Sequence, residues 1–209
     1  VRKVMELACG TGEVSMRLDD KGYEVIGVDL SKNMLEIAKK KAQGRPIKWL
    51  QADMRVLEDV PTTDAVTLFS DSLCYLTDFE DVVSVFEAVY DHLEEGGIFL
   101  FDVHSLYQMQ EIFPGYQYHF VEDDFAFLWQ SYELDEPGSV EHVIDMYIKQ
   151  EDGNLYEHFQ EVHEEQTFPI EMVEAALETV GFTDIKVTAD FGRSEVQETS
   201  PRWFFQAVK

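Results

Sequence analysis

The sequence predicts an α/β fold, in which buried strands alternate with amphipathic helices around a mainly parallel sheet. Three observations lead to this prediction. An apolar run, Val4–Leu7, breaks into a turn containing Gly10 and Gly12 and continues as a helical pattern. A second buried strand follows and ends on Asp29. Strand and helix patterns then keep alternating as far as His104, which is typical of parallel strands joined by crossover helices.

The glycine turn has the form of a ligand-binding loop. Glycine has no Cβ and reaches positive φ easily, so a ligand can lie on the backbone amides at the start of the next helix, 14–18. Glycine pairs also occur in plain strand-to-helix connections, so the turn alone is a weak signal.

The second strand, 24–28, places an acidic residue where such a ligand would need it. It ends on Asp29, about 20 residues after the glycines, where a carboxylate can accept hydrogen bonds from both ribose hydroxyls of an adenosine. Ser31 is placed to cap the following helix, 31–42.

The next two strands also end in polar residues. The third, 47–52, ends on Asp53, and the fourth, 65–69, ends on Ser70 and Asp71. Because the carboxyl ends of parallel strands meet at one edge of the sheet, these side chains and Asp29 are expected on the ligand side.

The remaining elements complete the sheet. A helix is predicted at 79–93, with the glycines at 96 and 97 as its end, followed by a fifth strand, 98–101. Near the C-terminus a helix at 169–180, with a proline in its first turn and Gly181 as its C-cap, precedes strands at 182–187 and 203–208.

Five stretches together resemble the class I S-adenosylmethionine-dependent methyltransferases, of the small-molecule type with a domain like methyltransferase domains 25 and 11. They are ELACGTGEV (6–14), GVDLSKNMLEIAKKKA (27–42), LQADMR (50–55), DAVTLFSDSLCYL (64–76) and HLEEGGIFLFDV (92–103). They follow the order and spacing of the family over the first half of the chain. The resemblance implies a Rossmann-like, doubly wound, seven-stranded sheet whose last strand is antiparallel.

The resemblance also implies a cofactor site for S-adenosylmethionine. Residues 8–12 would pack on its methionyl part. Asp29 would accept hydrogen bonds from the ribose hydroxyls, and Asp53 would accept one from the adenine amino group. Leu30 and Met54 would lie against the ring faces. The implied cofactor-binding residues are Glu6, Ala8, Cys9, Gly10, Gly12, Asp29, Leu30, Met34, Asp53, Met54, Ser70 and Asp71. Ala8 replaces the first glycine of the common loop pattern, and its small side chain should be accommodated.

Two alternatives stay open. An NAD(P) site usually has a third glycine three residues after the second, where this chain has Ser15, so Ser15, Asp53 and Met54 favour S-adenosylmethionine over a dinucleotide. A non-catalytic module that binds the cofactor without methyl transfer is the other alternative.

Residues 104–168 differ in character from the rest of the chain. Lys149 is their only basic residue apart from histidines, and stretches at 125–134, 140–149 and 155–166 alternate with period two. Turn-forming residues at 135–138 and 151–154 join them, which predicts an antiparallel meander. By the resemblance, the single domain comprises a cofactor-binding half (1–103), an inserted substrate lid (104–168) and a C-terminal part that completes the sheet (169–209).

The meander suggests two functions for its side chains. Its aromatic residues, together with its carboxylates, can hold a cation; they are Phe125, Phe127, Trp129, Tyr132, Tyr147 and Tyr156. We favour the simpler interpretation, in which one face packs on the domain and acidic residues solvate the other.

Candidates for acceptor positioning or proton removal lie just beyond the fourth and fifth strands: Tyr75, His104 and Tyr107. No catalytic residue is assigned. The set His158, Glu161 and His163 does not predict a metal site, because in a strand the first of them points away from the other two.

The formal charge of −26 disfavours nucleic acid and anionic membranes as partners, since both bind basic surfaces. No signal peptide or membrane-spanning run is found, and Cys9 and Cys74 are expected to be reduced thiols in the cytoplasm. We expect a small-molecule acceptor, whose identity, methylated atom and partner subunits the sequence leaves open. Family members usually carry a helical segment before the first strand, so we also expect residues before Val1.

Overall fold

The computed structural model describes residues 1–150 and 155–209. In chain order the described strands are β1 (Lys3–Leu7), β2 (Glu24–Asp29), β3 (Lys48–Gln51), β4 (Thr63–Leu68), β5 (Leu93–His104), β6 (Gln117–Val121), β7 (Phe125–Glu133), β8 (Ser139–Lys149), β9 (Tyr156–Gln166), β10 (Thr183–Thr188) and β11 (Arg202–Val208). The α-helices are α1 (Glu13–Asp20), α2 (Lys32–Lys41), α3 (Phe79–His92) and α4 (Ile170–Val180). Short 3-10 turns occupy Ser72–Tyr75 and Asp190–Gly192, and a π turn occupies Gln108–Ile112.

The main sheet has seven strands in the order β10-β11-β5-β4-β1-β2-β3. Its strands run parallel except β11, which is antiparallel to both of its neighbours. The predicted α/β fold with an antiparallel last strand is therefore confirmed. Among the helices of the described residues, none is both long enough and apolar enough to cross a bilayer.

Aromatic packing stabilises the position of β11 between β10 and β5. Phe101 of β5 stacks on Phe205 of β11 with ring centroids 4.7 Å apart, and Phe86 of α3 contacts Phe101 from the helical layer at 5.6 Å. Such pairs contribute about 0.5–1.5 kcal/mol each beyond burial of their area. The resulting register pairs Arg202, the first residue of β11, with His104, the last residue of β5.

The second sheet is antiparallel, in the order β6-β7-β8-β9. The predicted meander corresponds to β7, β8 and β9, and β6 is an additional strand that the sequence did not predict. In this register His142 pairs with both Ser131 and His163, so the three side chains share one face. The predicted turn at 151–154 lies outside the described residues.

Two predicted helix ends need correction. Helix α3 does not end at the glycines 96 and 97, because Leu93 is already extended (φ −90°, ψ 141°) and pairs with Thr63 in β4. Pro169 is the N-cap of α4 instead of lying in its first turn. The predicted C-cap is correct: Gly181 has φ 120° and donates its N–H to the Leu177 carbonyl at 3.1 Å.

Candidate active site

The loop after β1 is built from left-handed residues. Ala8, Gly10 and Gly12 have φ values of 51°, 52° and 81°. Glycine adopts this conformation without steric cost, whereas at Ala8 it costs about 1–2 kcal/mol. A Cβ added to Gly10 would meet no atom within 4 Å. The space above Gly10, close to the N-terminus of α1, is therefore open to a ligand.

Asp29 ties this loop to the end of β2. Its Oδ2 accepts a hydrogen bond from the Gly10 amide at 2.7 Å, and its Oδ1 accepts one from the Ser31 amide at 2.8 Å. Both bonds fix the carboxylate beside the open loop. Directly after it, Leu30 and Met34 are 65% and 43% exposed, so apolar surface lies next to the carboxylate.

Asp53, at the end of the third strand, is held by an arginine that the sequence analysis did not single out. Arg55 donates to Asp53 Oδ1 from its amide at 2.9 Å and to Oδ2 from Nη2 at 2.6 Å, and its Nη1 reaches Asp81 at 2.6 Å. The hydrogen bonds from Arg55 lower the pKa of Asp53. Asp53 is therefore an ionised and oriented carboxylate. Met54, beside it, packs partly buried against the main core.

Two further residues of the predicted set are buried. Glu6 is 5% exposed and accepts a hydrogen bond from the hydroxyl of Ser15, which is fully buried. Burial raises the pKa of Glu6 to about 7. Burial also raises the pKa of the Cys9 thiol, so this cysteine is not an activated nucleophile.

At the ends of β4 and β5, one arginine joins two carboxylates. Arg202 Nη2 lies 2.7 Å from Asp71 Oδ2, and its Nη1 donates to Asp102 Oδ2. Ser70 and Asp71 both have left-handed backbones, with φ 63° and 59°, and the Ser70 amide donates to Asp102 Oδ1 at 2.9 Å. Burial raises the pKa of Asp71 to about 6, against the opposing effect of Arg202. Strained backbone of this kind persists where surrounding contacts hold it.

A cavity of about 300 Å³ lies between this arginine cluster and the second sheet. Ser70, Asp71, Tyr75, His104 and Arg202 line it from the main sheet, and Phe127, Trp129, His142, Ile144, His163 and Glu165 line it from the second sheet. A larger, mainly apolar cavity of about 700 Å³ runs beside it along β5 and β11 and shares Ser70 and Arg202. The smaller cavity is the better candidate for chemistry, because the titratable side chains converge there.

The buried His142 and the partly buried His104 of the cavity are both neutral near pH 7. His104 Nε2 lies 3.3 Å from Asp71 Oδ2 and 3.7 Å from Glu165 Oε2, and burial lowers the His104 pKa to about 3. His142 shares a 2.8 Å hydrogen bond with the Ser131 hydroxyl, and burial lowers its pKa to about 4. Burial raises the pKa of Glu165 to about 7.

The other predicted residues divide into those that reach the cavity and those that do not. Tyr75 and His104 line it, whereas Tyr107 does not. Of the six aromatic residues of the predicted meander, only two line the cavity, Phe127 and Trp129. Tyr132 and Tyr156 are about half exposed, at 47% and 46%.

The three residues considered for a metal are separated as the strand alternation predicts. His158 Nε2 contacts Asp145 at 2.5 Å, while His163 Nε2 lies 3.2 Å from Glu161 Oε2. Within the described ranges no three histidine, cysteine or acidic residues converge as a metal site.

Comparison with known proteins identifies the family. Residues 4–97 match the family described as "Methyltransferase domain". An S-adenosylmethionine-dependent methyltransferase from Clostridium acetobutylicum ATCC 824 has a similar structure, with a TM-score of 0.89, 28% identity, and coverage of 99% of this chain and 83% of that one. YqeM of Bacillus subtilis (strain 168), whose methyltransferase name is itself provisional, is 41% identical over 209 residues, which cover 99% of this chain and 84% of YqeM. The chain belongs to the S-adenosylmethionine-dependent methyltransferases.

The methyltransferase assignment confirms the predicted enzyme class and cofactor. A further similar structure is that of the sugar N-methyltransferase KedS8 from Streptoalloteichus sp ATCC 53650, with a TM-score of 0.80, 25% identity, and coverage of 100% of this chain and 80% of that one. The open loop at Gly10 and the fixed Asp29 carboxylate suit a nucleoside cofactor of this kind.

Three polar residues of the methyltransferase cavity were missed from the sequence, namely Arg202, His142 and Glu165, and so was the apolar Ile144. Glu165 carried a partial signal, since period-two alternation places it on the same strand face as His163. Arg202 carried none, because its partners lie about 100 and 130 residues earlier in the chain.

Proposed function

We propose that this methyltransferase transfers the methyl group of S-adenosylmethionine to a small molecule bound in the cavity between the two sheets. The observation that supports this most directly concerns Ser70 and Asp71, which belong both to the predicted cofactor residues and to the cavity wall. The cofactor supplies a methyl group already activated by its sulfonium. The protein therefore mainly has to align the acceptor and exclude water.

The predicted cofactor residues are proposed to act as the resemblance implies. Residues 8–12 provide an open backbone surface, Asp29 provides a fixed carboxylate for the ribose, and Leu30 provides exposed apolar surface for the adenine. At Asp53, Arg55 makes three hydrogen bonds, and a carboxylate has about four acceptor sites. One acceptor site therefore remains for the adenine amino group.

Residues 104–168 are proposed to form the lid over the acceptor. One contact between the two parts supports this: the rings of Tyr75 and His163 meet edge to face at 5.7 Å. On this proposal residues 1–103 hold the cofactor and residues 169–209 complete the main sheet.

The acceptor is proposed to be small because the cavity measures only about 300 Å³. The name of KedS8, a sugar N-methyltransferase, is consistent with a small acceptor. The charge of −26 argues against nucleic acid and anionic membranes. A cytoplasmic location is supported by Cys9 and Cys74, which are both free thiols.

The test is calorimetric titration of the protein with S-adenosylmethionine, S-adenosylhomocysteine and NAD. We expect about micromolar binding of the first two and no binding of NAD. Asp29→Ala should weaken both affinities by about tenfold or more, because the ribose hydroxyls lose a charged acceptor. Asp91→Ala, at an exposed position of α3, is the control and should leave them unchanged. Unchanged affinity in Asp29→Ala, or binding of NAD alone, would contradict the proposed site.

A further inference from the structure

Among the described residues, the buried side-chain polar atoms that lack a hydrogen-bond partner all belong to residues that line the cavity. These atoms are Asp71 Oδ1, Glu165 Oε2 and Trp129 Nε1. Buried polar groups in folded proteins are nearly always paired, and leaving one unpaired costs about 1–3 kcal/mol. Three such residues around one cavity are consistent with a ligand that reorients these side chains and supplies their partners.

Glu165 is the most informative of the three. Its side chain is 8% exposed, and its Oε2 is directed toward His104 Nε2 at 3.7 Å and His142 Nε2 at 3.8 Å. Both distances are too long for hydrogen bonds. Both histidines are also neutral near pH 7, so neither balances the carboxylate.

The charged side chains around the cavity include more carboxylates than cations, so a bound cation would balance them. Arg202 is the only permanently charged base in the cavity wall, and it is shared between Asp71 and Asp102. With Glu165, three carboxylates therefore face one guanidinium. Burial is the main cause of the raised pKa values of Asp71 and Glu165, and a neighbouring carboxylate raises each pKa further, Asp102 for Asp71 and Asp71 for Glu165.

The third unpaired atom, Trp129 Nε1, needs an acceptor, which an ammonium group cannot provide. The indole ring lies 5.3 Å from the ring of His142, which in turn is next to Glu165. The same ligand can therefore place a cation near Glu165 and an oxygen near Trp129. Trp129 and Phe127 also line the cavity with aromatic rings, the type of side chain that attracts cations.

We infer that the methyl acceptor is a small amine that carries a hydroxyl group, with its ammonium held by Glu165 and Asp71 and its oxygen facing Trp129. This inference rests on the proposed function, since it names the class of molecule that the same cavity takes. It adds two residues, Glu165 and Trp129, as determinants of acceptor specificity.

The experiment is calorimetric titration in the presence of saturating S-adenosylhomocysteine, with probes matched in shape. The probes are 4-aminocyclohexanol, 1,4-cyclohexanediol and cyclohexylamine, together with glucosamine and glucose. At least one hydroxyl-bearing amine should bind about tenfold or more tightly than its counterpart without nitrogen, because a charged hydrogen bond is lost in the counterpart.

Three variants test the residues. Glu165→Gln keeps the shape of the side chain and should remove the preference for the amine. Glu164→Gln, one residue earlier and exposed, is its control and should keep the preference. Trp129→Phe should weaken the binding of 4-aminocyclohexanol and leave the affinity for cyclohexylamine unchanged. Only 4-aminocyclohexanol has an oxygen that can accept a hydrogen bond from Trp129 Nε1.

The inference is overturned if no amine is preferred over its hydroxyl counterpart, or if Glu165→Gln keeps the preference. Failure of the proposed function is distinguishable, because S-adenosylhomocysteine itself would then fail to bind in the preceding titration. Binding of S-adenosylhomocysteine without a preference for amines would leave the proposed function intact and reject only the amine.

Discussion

Trp49 lies directly against Gly12, so that a Cβ added at residue 12 would be 2.4 Å from Trp49 Cη2 and 3.2 Å from the Cβ of Ala38. Gly12 also has φ 81° and is the N-cap of α1. Both the space and the backbone conformation therefore require glycine. The contact joins the ligand loop to strand β3, so the position of the loop depends on an indole that follows it by 37 residues.

Gly12→Ala should lower the free energy of unfolding by about 2–4 kcal/mol, because overpacking against Trp49 adds to the cost of a left-handed alanine. Urea denaturation measures this change. Gly10→Ala is the control: it has a similar φ of 52° but an open space at its Cβ, so it should cost only about 1–2 kcal/mol. Equal costs for the two variants would show that Trp49 does not restrict the loop.

Gly27→Ala isolates the steric part of this effect. A Cβ added at residue 27 would lie 2.5 Å from Trp49 Cε3, and the backbone of Gly27 is not left-handed. We expect a loss of about 1–3 kcal/mol that Trp49→Leu partly relieves in the double variant. A double-mutant cycle by urea denaturation measures the coupling, and additive losses would count against direct contact.

Arg202→Met should destabilise the protein by about 3–5 kcal/mol, since it leaves the Asp102 carboxylate, 2% exposed, without its cation. Arg2→Met is the matched control. Arg2 pairs with Glu24 at 2.5 Å, but the two side chains are 82% and 54% exposed, so its loss should cost at most about 1 kcal/mol. Thermal and urea denaturation at pH 7.5 compare them, and similar losses would refute the structural role of the buried ion pair.

Glu6→Gln should change how stability depends on pH. Burial raises the pKa of Glu6 from 4.5 to about 7, so the folded protein binds a proton that the unfolded chain has released between these values. Wild-type stability should therefore fall as pH rises from about 4.5 to 7, and the variant should lack this part of the decrease.

Above pH 7 the variant should be more stable than the wild type by up to about 3 kcal/mol, and at pH 4 the two should be similar. Urea denaturation across this range measures the difference. The raised pKa values of Asp71 and Glu165 also make stability fall as pH rises. Both residues are present in the wild type and in the variant, so their effects cancel in the difference between the two proteins. A constant difference from pH 4 to 8 would rule out titration of Glu6 as its cause.

The elements that local patterns encode were predicted correctly. The capping of α2 is an example, since Ser31 accepts the Met34 amide at 3.3 Å as its position before the helix suggested. Strand β6 was missed because all five of its residues are exposed, so it lacks the alternation by which strands are found. The predicted end of α3 at Leu93 is within one residue of the observed end, but the glycine C-cap was wrong because Leu93 is already extended and pairs with β4.

The candidate site was predictable only where its residues follow strand ends. Asp29 and Asp53 stand at such positions, whereas Arg55 is distinguished only by its contacts with Asp53 and Asp81. Glu165 was hidden among 42 acidic residues, and strand alternation, which separates it from the exposed Glu164, does not say which face of the strand is buried. Burial and pairing over long sequence distances are tertiary properties, and no local window contains them.

The antiparallel placement of β11 has a consequence for synthesis on the ribosome. The glycine loop and Asp29 are translated before Arg202, and Arg202 follows its partners Asp71 and Asp102 by 131 and 100 residues. A nascent chain that has not yet released residue 202 holds those two carboxylates without their counter-charge. The cavity between the two sheets is therefore completed only after residue 202 has been translated, whereas the glycine loop can form before that.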